Sequence, residues 1–210
     1  MASPLFDENA RVLLIGDSVT DCGRDFNNPT DLGFGYAAMI AALFSARHPG
    51  VCTAFFNRGI SGHRVKDLRA RWQKDCLDLK PTVVSILIGI NDTWRRYDSN
   101  DPTSTEDYER DYRWLLESAR AALNPAFMLC EPFLLPVPDD RKAWRVDLDP
   151  RIQVVRRLAV EYGAALVPLD GVFARAAAAR RDPAFWLPDG VHPSLAGHAL
   201  IAEHWLEAMR

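Results

Sequence analysis

Short apolar runs alternate with longer amphipathic stretches along nearly the whole chain. Residues 12–15, Val-Leu-Leu-Ile, are halted at once by Gly16 and Asp17. Such a run is too short for a helix and has no polar alternation, so it predicts a parallel strand buried on both faces. Similar runs predict strands over residues 53–56, 82–88, 127–130 and 165–167. Between them apolar residues recur every three or four positions. Tyr36, Met39, Ile40, Leu43 and Phe44 mark a helix over residues 35–46, and Val65, Leu68, Trp72, Cys76 and Leu79 mark one over residues 65–79. Ser104-x-x-Asp107 reads as a capping box for a helix reaching about residue 123, and Asp149-Pro150 as the N-cap and first residue of a helix stopped by Gly163. An Ala-rich helix is expected over residues 172–180. Ser194 caps a last helix whose Leu195, Ala199, Ala202, Trp205, Leu206 and Met209 form one apolar stripe. Two segments read as loops, the polar residues 94–103 and the stretch holding Pro132, Pro136 and Pro138.

This alternation predicts a three-layer α/β/α sandwich around a parallel sheet of about five strands, with right-handed crossovers. Strand order is not legible directly; analogy with flavodoxin-like folds suggests 2-1-3-4-5. No repeat or low-complexity linker divides the 210 residues, so one domain over 1–210 is expected. A net charge of −3 provides no basic stripe, which argues against nucleic acid or an anionic membrane surface as partner. The four cysteines, Cys22, Cys52, Cys76 and Cys130, are far apart and form no C-x-x-C, so neither a zinc site nor a disulfide framework is expected. Asp7, Glu8 and Arg11 break the N-terminal apolar run before it reaches signal-peptide length. A cytoplasmic protein with reduced thiols follows as the expectation, and its oligomeric state stays open, a homo-oligomer included.

Ser18, Gly62 and Asn91 each follow a different predicted strand by a few residues. A parallel sheet delivers all three to one rim, where open α/β sheets bind ligands. Taken singly, each has an ordinary explanation: a turn serine, a turn glycine, a strand-end asparagine. Together they match what acyl transfer needs, with Ser18 as nucleophile and the Gly62 N–H and Asn91 amide as donors to a developing oxyanion. Five histidines compete for the role of base. His48 precedes Pro-Gly at a helix end, His198 lies on or beside the apolar stripe, and His204 falls at the solvent edge of the same helix. His63 follows Gly62 and is placed to line the crevice. His192 stands out because Asp189 precedes it by three residues in a loop marked by Pro and Gly, where a turn can bring carboxylate and imidazole together. Asp17, Asp21 and Asp92 read as turn carboxylates, and spacing alone leaves two-carboxylate glycosidase chemistry open. The G-x-S-x-G elbow, Walker A and G-x-G-x-x-G are all absent.

Four blocks, Gly16-Asp17-Ser18, Asn57-x-Gly59-x-Ser61-Gly62, Gly89-x-Asn91-Asp92 and Asp189-x-x-His192-Pro193, occur in the order seen in SGNH hydrolases, also called GDSL esterases. The chain resembles that family over nearly its whole length, departing at Val19, where the family name has Leu. The resemblance implies Ser18 as nucleophile, Asp189 and His192 completing a triad, and Ser18 N–H, Gly62 N–H and the Asn91 side chain as oxyanion hole. The sequence around these blocks is similar to the intracellular acetylxylan esterases, which deacetylate xylo-oligosaccharides and need no metal. That likeness implies a small acyl ester or acetylated oligosaccharide as substrate and no cofactor. Trp94, Tyr97 and Trp186 flank the blocks and, with His63, are candidate substrate contacts, although buried core aromatics explain them equally well. A broad carboxylesterase, thioesterase or lysophospholipase with the same triad is the alternative. Outside enzymes, the alternative is a silent flavodoxin-like binding module.

Overall fold

The computed structural model describes residues 9–179 and 182–209. Asp7, Glu8 and Arg180, used in the sequence reading, lie outside them. Five parallel strands form one sheet: β1 (Arg11–Gly16), β2 (Ala54–Gly59), β3 (Val83–Leu87), β4 (Ala126–Cys130) and β5 (Ala165–Val167). Their order is β2-β1-β3-β4-β5, the order expected by analogy. The apolar run of β1 divides between the two faces. Val12 and Leu14 enter a core with Tyr36, Ile40, Phe173 and Trp205, and Leu13 and Ile15 enter another with Leu68, Trp72, Leu115 and Leu158. Burial on both sides is why this strand shows no alternation.

The helices are α1 (Ser18–Asp21), α2 (Tyr36–Arg47), α3 (Val65–Asp75), α4 (Ile90–Ser99), α5 (Thr105–Leu123), α6 (Arg145–Tyr162), α7 (Leu169–Ala179), α8 (Pro183–Trp186) and α9 (Leu195–Ala208). Several differ from the sequence reading. Residues 94–99, expected in the polar loop 94–103, belong to α4, whose buried turn, Ile90-Asn-Asp-Thr93, is mostly polar and so shows no apolar periodicity. α6 begins at Arg145, with Pro150 inside it instead of at its first turn. The helix N–H that Pro150 lacks would meet the carbonyl of Val146, a residue 75% exposed, where water can take its place. β2 continues through Asn57 to Gly59, residues expected in the following loop. In α9, Leu195 is 72% exposed, since the first turn projects past the core, and Gly197, His198, Ile201, Ala202, Trp205 and Leu206 are the buried positions.

Neighbours β2 and β3 stand on opposite sides of β1, so the chain reverses direction of winding there. Such a switch point opens a crevice at the carboxyl ends of the strands. Ser18 follows β1 and Asn91 follows β3, on the two lips of that crevice.

Candidate active site

Asp17 caps α1, its Oδ1 accepting the Val19 N–H at 3.0 Å, and this presents Ser18 as the first helical residue. The Ser18 N–H is therefore one of the amides a helix start leaves without an intrahelical acceptor. Asn57, fully buried in β2, locks the turn to the next strand: its Nδ2 donates to Thr20 O at 2.6 Å and to Leu32 O at 2.9 Å, and its Oδ1 accepts the Gly59 N–H at 2.8 Å. Asp21 completes the clamp by accepting from Ser61 Oγ at 2.7 Å and Ser61 N at 3.2 Å. The turn leading to Gly62 is thereby held against the end of α1 at Asp21. Gly62 has φ +82° with open space where a Cβ would stand, so backbone conformation, more than crowding, calls for glycine.

Asn91 is buried on the first turn of α4. Its Nδ2 donates to His63 O at 3.1 Å, which orients the amide and leaves its second N–H for another acceptor. Gly89 makes the entry to this helix possible, with φ +134° and the Tyr108 hydroxyl 2.9 Å from a would-be Cβ.

From the opposite side, the loop before α9 brings His192 to the crevice. Ser18 Oγ lies 2.9 Å from His192 Nε2, and His192 Nδ1 lies 2.6 Å from Asp189 Oδ2. Asp189 Oδ1 also accepts the backbone N–H groups of His192 and Val191, at 2.7 and 3.0 Å, which rigidifies the turn. Partial burial raises the Asp189 pKa, but these hydrogen bonds outweigh it and hold the carboxyl well below the usual carboxylate range. The same bond to Asp189 raises His192. With Nδ1–H donating to the carboxylate, Nε2 faces Ser18 as an acceptor. Burial pushes Asp17 up to about 7 despite the Val19 N–H and the nearby imidazole.

The other histidines have other partners. His198 is a core residue: Tyr36 N–H donates to its Nδ1 at 3.2 Å, its Nε2 lies 3.3 Å from Cys22 Sγ, and burial lowers its pKa to about 4. His48 packs on Phe44 at the end of α2, and His204 pairs with Glu207 at 2.7 Å. His63 accepts from Arg71 Nε through Nδ1 at 3.2 Å while its carbonyl orients Asn91. Trp186 packs against Phe185 and the core beneath α9. Trp94 and Tyr97 instead line one cleft, and the Trp94 ring centre is 5.9 Å from that of His192.

Sequence reasoning overlooked Arg71 and Arg151. Arg71 donates to Gly16 O at 3.0 Å and Arg58 O at 2.8 Å, and it pairs with Asp75 at 2.7 Å. Arg151, 2% exposed, donates to the carbonyls of Asp92, Thr103 and Asp147, fastening α4 to α6. Nothing local distinguishes either from a solvated helix arginine.

A serine hydroxyl joined through imidazole to carboxylate, facing an oriented amide, is equipped for acyl transfer. Comparisons with known proteins agree. The sequence profile of the GDSL-like lipase/acylhydrolase family matches residues 14–200. An acetylxylan esterase of Geobacillus stearothermophilus is 36% identical over 203 residues, spanning 93% of this chain and 92% of its own. The solved structure of Axe2, an acetylxylan esterase from that organism, has a TM-score of 0.86 at 33% identity, covering 96% of this chain and 94% of that one. LAE5, an alpha/beta hydrolase enzyme from the metagenome of Lake Arreo, Spain, reaches 0.89 at 34%, covering 98% and 97%. Solved catalytic mutants of Axe2 replace an aspartate and, three positions later, a histidine. With the profile covering most of its length and a full-length esterase relative above 30% identity, the chain belongs to the GDSL-like lipase/acylhydrolase family and is a carboxylic ester hydrolase.

Proposed function

We propose that this enzyme removes acetyl groups from acetylated carbohydrate, such as xylo-oligosaccharides, through an acyl-enzyme on Ser18. The relay from Ser18 Oγ to His192 at 2.9 Å and on to Asp189 at 2.6 Å carries the catalytic part of this reading. His192 Nε2 takes the hydroxyl proton as Oγ attacks the ester carbonyl, and Asp189 steadies the imidazolium that results. The Ser18 and Gly62 N–H groups and the free Asn91 N–H receive the oxyanion. Collapse expels the sugar alkoxide, which leaves with the proton from His192. Water, deprotonated by the same nitrogen, then hydrolyses the acetyl-serine and releases acetate. The spacing of Asp189 and His192 equals that of the two catalytic positions replaced in Axe2. For the substrate, the support is the full-length acetylxylan esterase relative and the aromatic residues Trp94, beside His192, and Tyr97, which lines the same cleft as Trp94. One domain comprising residues 1–210 and a cytoplasmic location belong to the same reading, the latter supported by four free cysteines. Among the described residues no helix is long and apolar enough to cross a membrane.

A fluorophosphonate should label Ser18 and abolish activity, and peptide mass mapping should find the adduct there. Adduct at Ser61 or Ser194 would refute the assignment. Among p-nitrophenyl esters of rising chain length, acetate should be hydrolysed best; a preference for octanoate would favour a broad esterase or lysophospholipase.

A further inference from the structure

A cleft of about 420 Å³ opens between α4 and the 3-10 segment Asp139–Trp144, with Trp94, whose ring centre is 5.9 Å from that of His192, among its lining residues. Resting on the acetyl-carbohydrate reading above, we propose that this cleft binds the sugar units adjoining the acetylated one, which makes the enzyme selective for oligosaccharides over monosaccharides.

Position is the first support. The Trp94 ring, which lines the cleft, has its centre 5.9 Å from that of His192 and 5.2 Å from that of Trp144, so the cleft and His192 share one wall residue. The second is Tyr97. Its hydroxyl is already spent on Asp147 Oδ2 at 2.7 Å and Ala143 O at 2.9 Å, and its ring stacks on Trp144 at 5.2 Å with planes 15° apart. The residue is nevertheless 39% exposed. What it offers a ligand is a fixed aromatic face with no unmet polar demand, suited to the C–H side of a pyranose ring. Because that face is immobilised in advance, binding costs little further side-chain entropy.

The polar lining points the same way. Asp98 and Asp140 face the cleft as carboxylates, paired with Arg95 at 2.7 Å and Arg141 at 3.2 Å. Each carboxylate has more acceptor sites than its arginine uses, and sugar hydroxyls are donors. The Arg141 guanidinium centre lies 5.2 Å over Trp94 and 4.0 Å over Trp144, which joins the two indoles into one wall. Balanced charges leave no excess for an anionic ligand, and a fatty acyl chain here would desolvate Asp98, Asp140 and Arg141 without replacing their water. The volume lies in the ~300–1,000 Å³ range of cavities that enclose small ligands, and exceeds the need of an acetyl group or one pyranose ring.

The test compares kcat/KM on p-nitrophenyl acetate, acetylated xylose and acetylated xylo-oligosaccharides of two to four units, for the wild type, Tyr97→Ala and Ala143→Trp. Ala143 is exposed on the cleft wall, so tryptophan there fills the space while removing no contact of the core. Wild-type kcat/KM should rise with chain length. In both variants the ratio of trisaccharide to p-nitrophenyl acetate kcat/KM should fall about tenfold, the scale of one lost aromatic contact. Unacetylated xylotriose should inhibit the wild type competitively and Ala143→Trp weakly. Hydrolysis of acetylated sugars with no length dependence, or with one that survives in Ala143→Trp, overturns the cleft and leaves the acetyl-carbohydrate reading standing. Hydrolysis of p-nitrophenyl acetate with none of any acetylated sugar overturns that reading and the cleft with it.

Discussion

His192 lies 2.9 Å from Ser18 Oγ through Nε2 and 2.6 Å from Asp189 through Nδ1, so under the proposed mechanism its protonation decides whether Ser18 has a base at all. Its pKa is raised by the Asp189 hydrogen bond and charge. Because the imidazole must be neutral, kcat/KM should fall as pH drops through that raised pKa, with the midpoint above the ordinary value of 6.5. Asp189→Asn removes the charge that favours imidazolium, so the acid limb should move to lower pH. It also loosens the tautomer that points Nε2 at Ser18, and kcat should drop by about 10³- to 10⁴-fold. A pH–rate profile of both proteins on p-nitrophenyl acetate checks this; an unmoved midpoint would assign the limb to another group. At this scale Ser18, Asp189 and His192 could be singled out from sequence, because each stands beside a strand end or turn that leaves a local mark. The oriented Asn91 amide was half legible: its position followed from β3, but its helical setting and its bond to His63 O did not.

Among the elements, α3 packs through Val65, Leu68 and Trp72, as its periodicity predicts, yet its other edge serves the site. Arg71 projects from that edge and ties the end of β1 at Gly16 O, the end of β2 at Arg58 O and the His63 ring. His63 in turn orients Asn91, so one guanidinium links the end of β1 to the amide proposed as an oxyanion donor. Its side chain is only 12% exposed and its partner Asp75 only 14%. Arg71→Met should therefore destabilise the fold by about 1–3 kcal/mol, the cost of leaving partly buried acceptors without their donor. Arg71→Lys keeps the charge but not the planar fork that reaches several acceptors. It should fold, hold KM near the wild-type value and lose about 10- to 100-fold in kcat through misplaced donors. Melting temperature and kcat per titrated Ser18 site check this, and an unchanged kcat in the folded Lys variant would make Arg71 structural only. α4 escaped prediction for a related reason. Its buried turn holds Asn91, Asp92 and Thr93, which bond to His63 O, Val65 N–H and Arg151, and such distant partners leave no periodic trace.

Over the whole molecule, burial of two carboxyls beside the crevice couples stability to pH. Burial raises Asp17 and Asp92 from 3.8 to about 7. Between these values the folded state holds protons that the unfolded state has released, so their contribution to stability is full below about pH 4 and is lost as pH rises through 7. His198, lowered to about 4 by burial, acts in the opposite sense between pH 4 and 6.5. Comparison with Asp92→Asn isolates one group. The amide oxygen can keep the bond from Val65 N–H, now 3.1 Å from Oδ2, and carries no charge to desolvate. The variant should gain stability relative to wild type as pH rises from 5 to 8, read as unfolding midpoints in urea at each pH. An equal difference at both pH values would show that Asp92 is not protonated in the folded enzyme at pH 5 while ionised at pH 8.

Local chemistry alone determined the alternation of strands and helices, the parallel sheet, the Ser104 and Ser194 caps and the loop pairing Asp189 with His192. Each depends on residues within a few positions of one another, where apolar period, capping and turn geometry act directly. Tertiary structure decided what depends on distant partners. The order of strands brought Ser18 and Asn91 to facing lips, and the return of the chain before α9 put His192 2.9 Å from a serine 174 positions earlier. Arg71 and Arg151 became braces, and the 3-10 segment Asp139–Trp144 became a cleft wall, only when strand ends and α4 arrived beside them. Those side chains read as ordinary surface residues in sequence because the acceptors that bury them lie dozens of positions away.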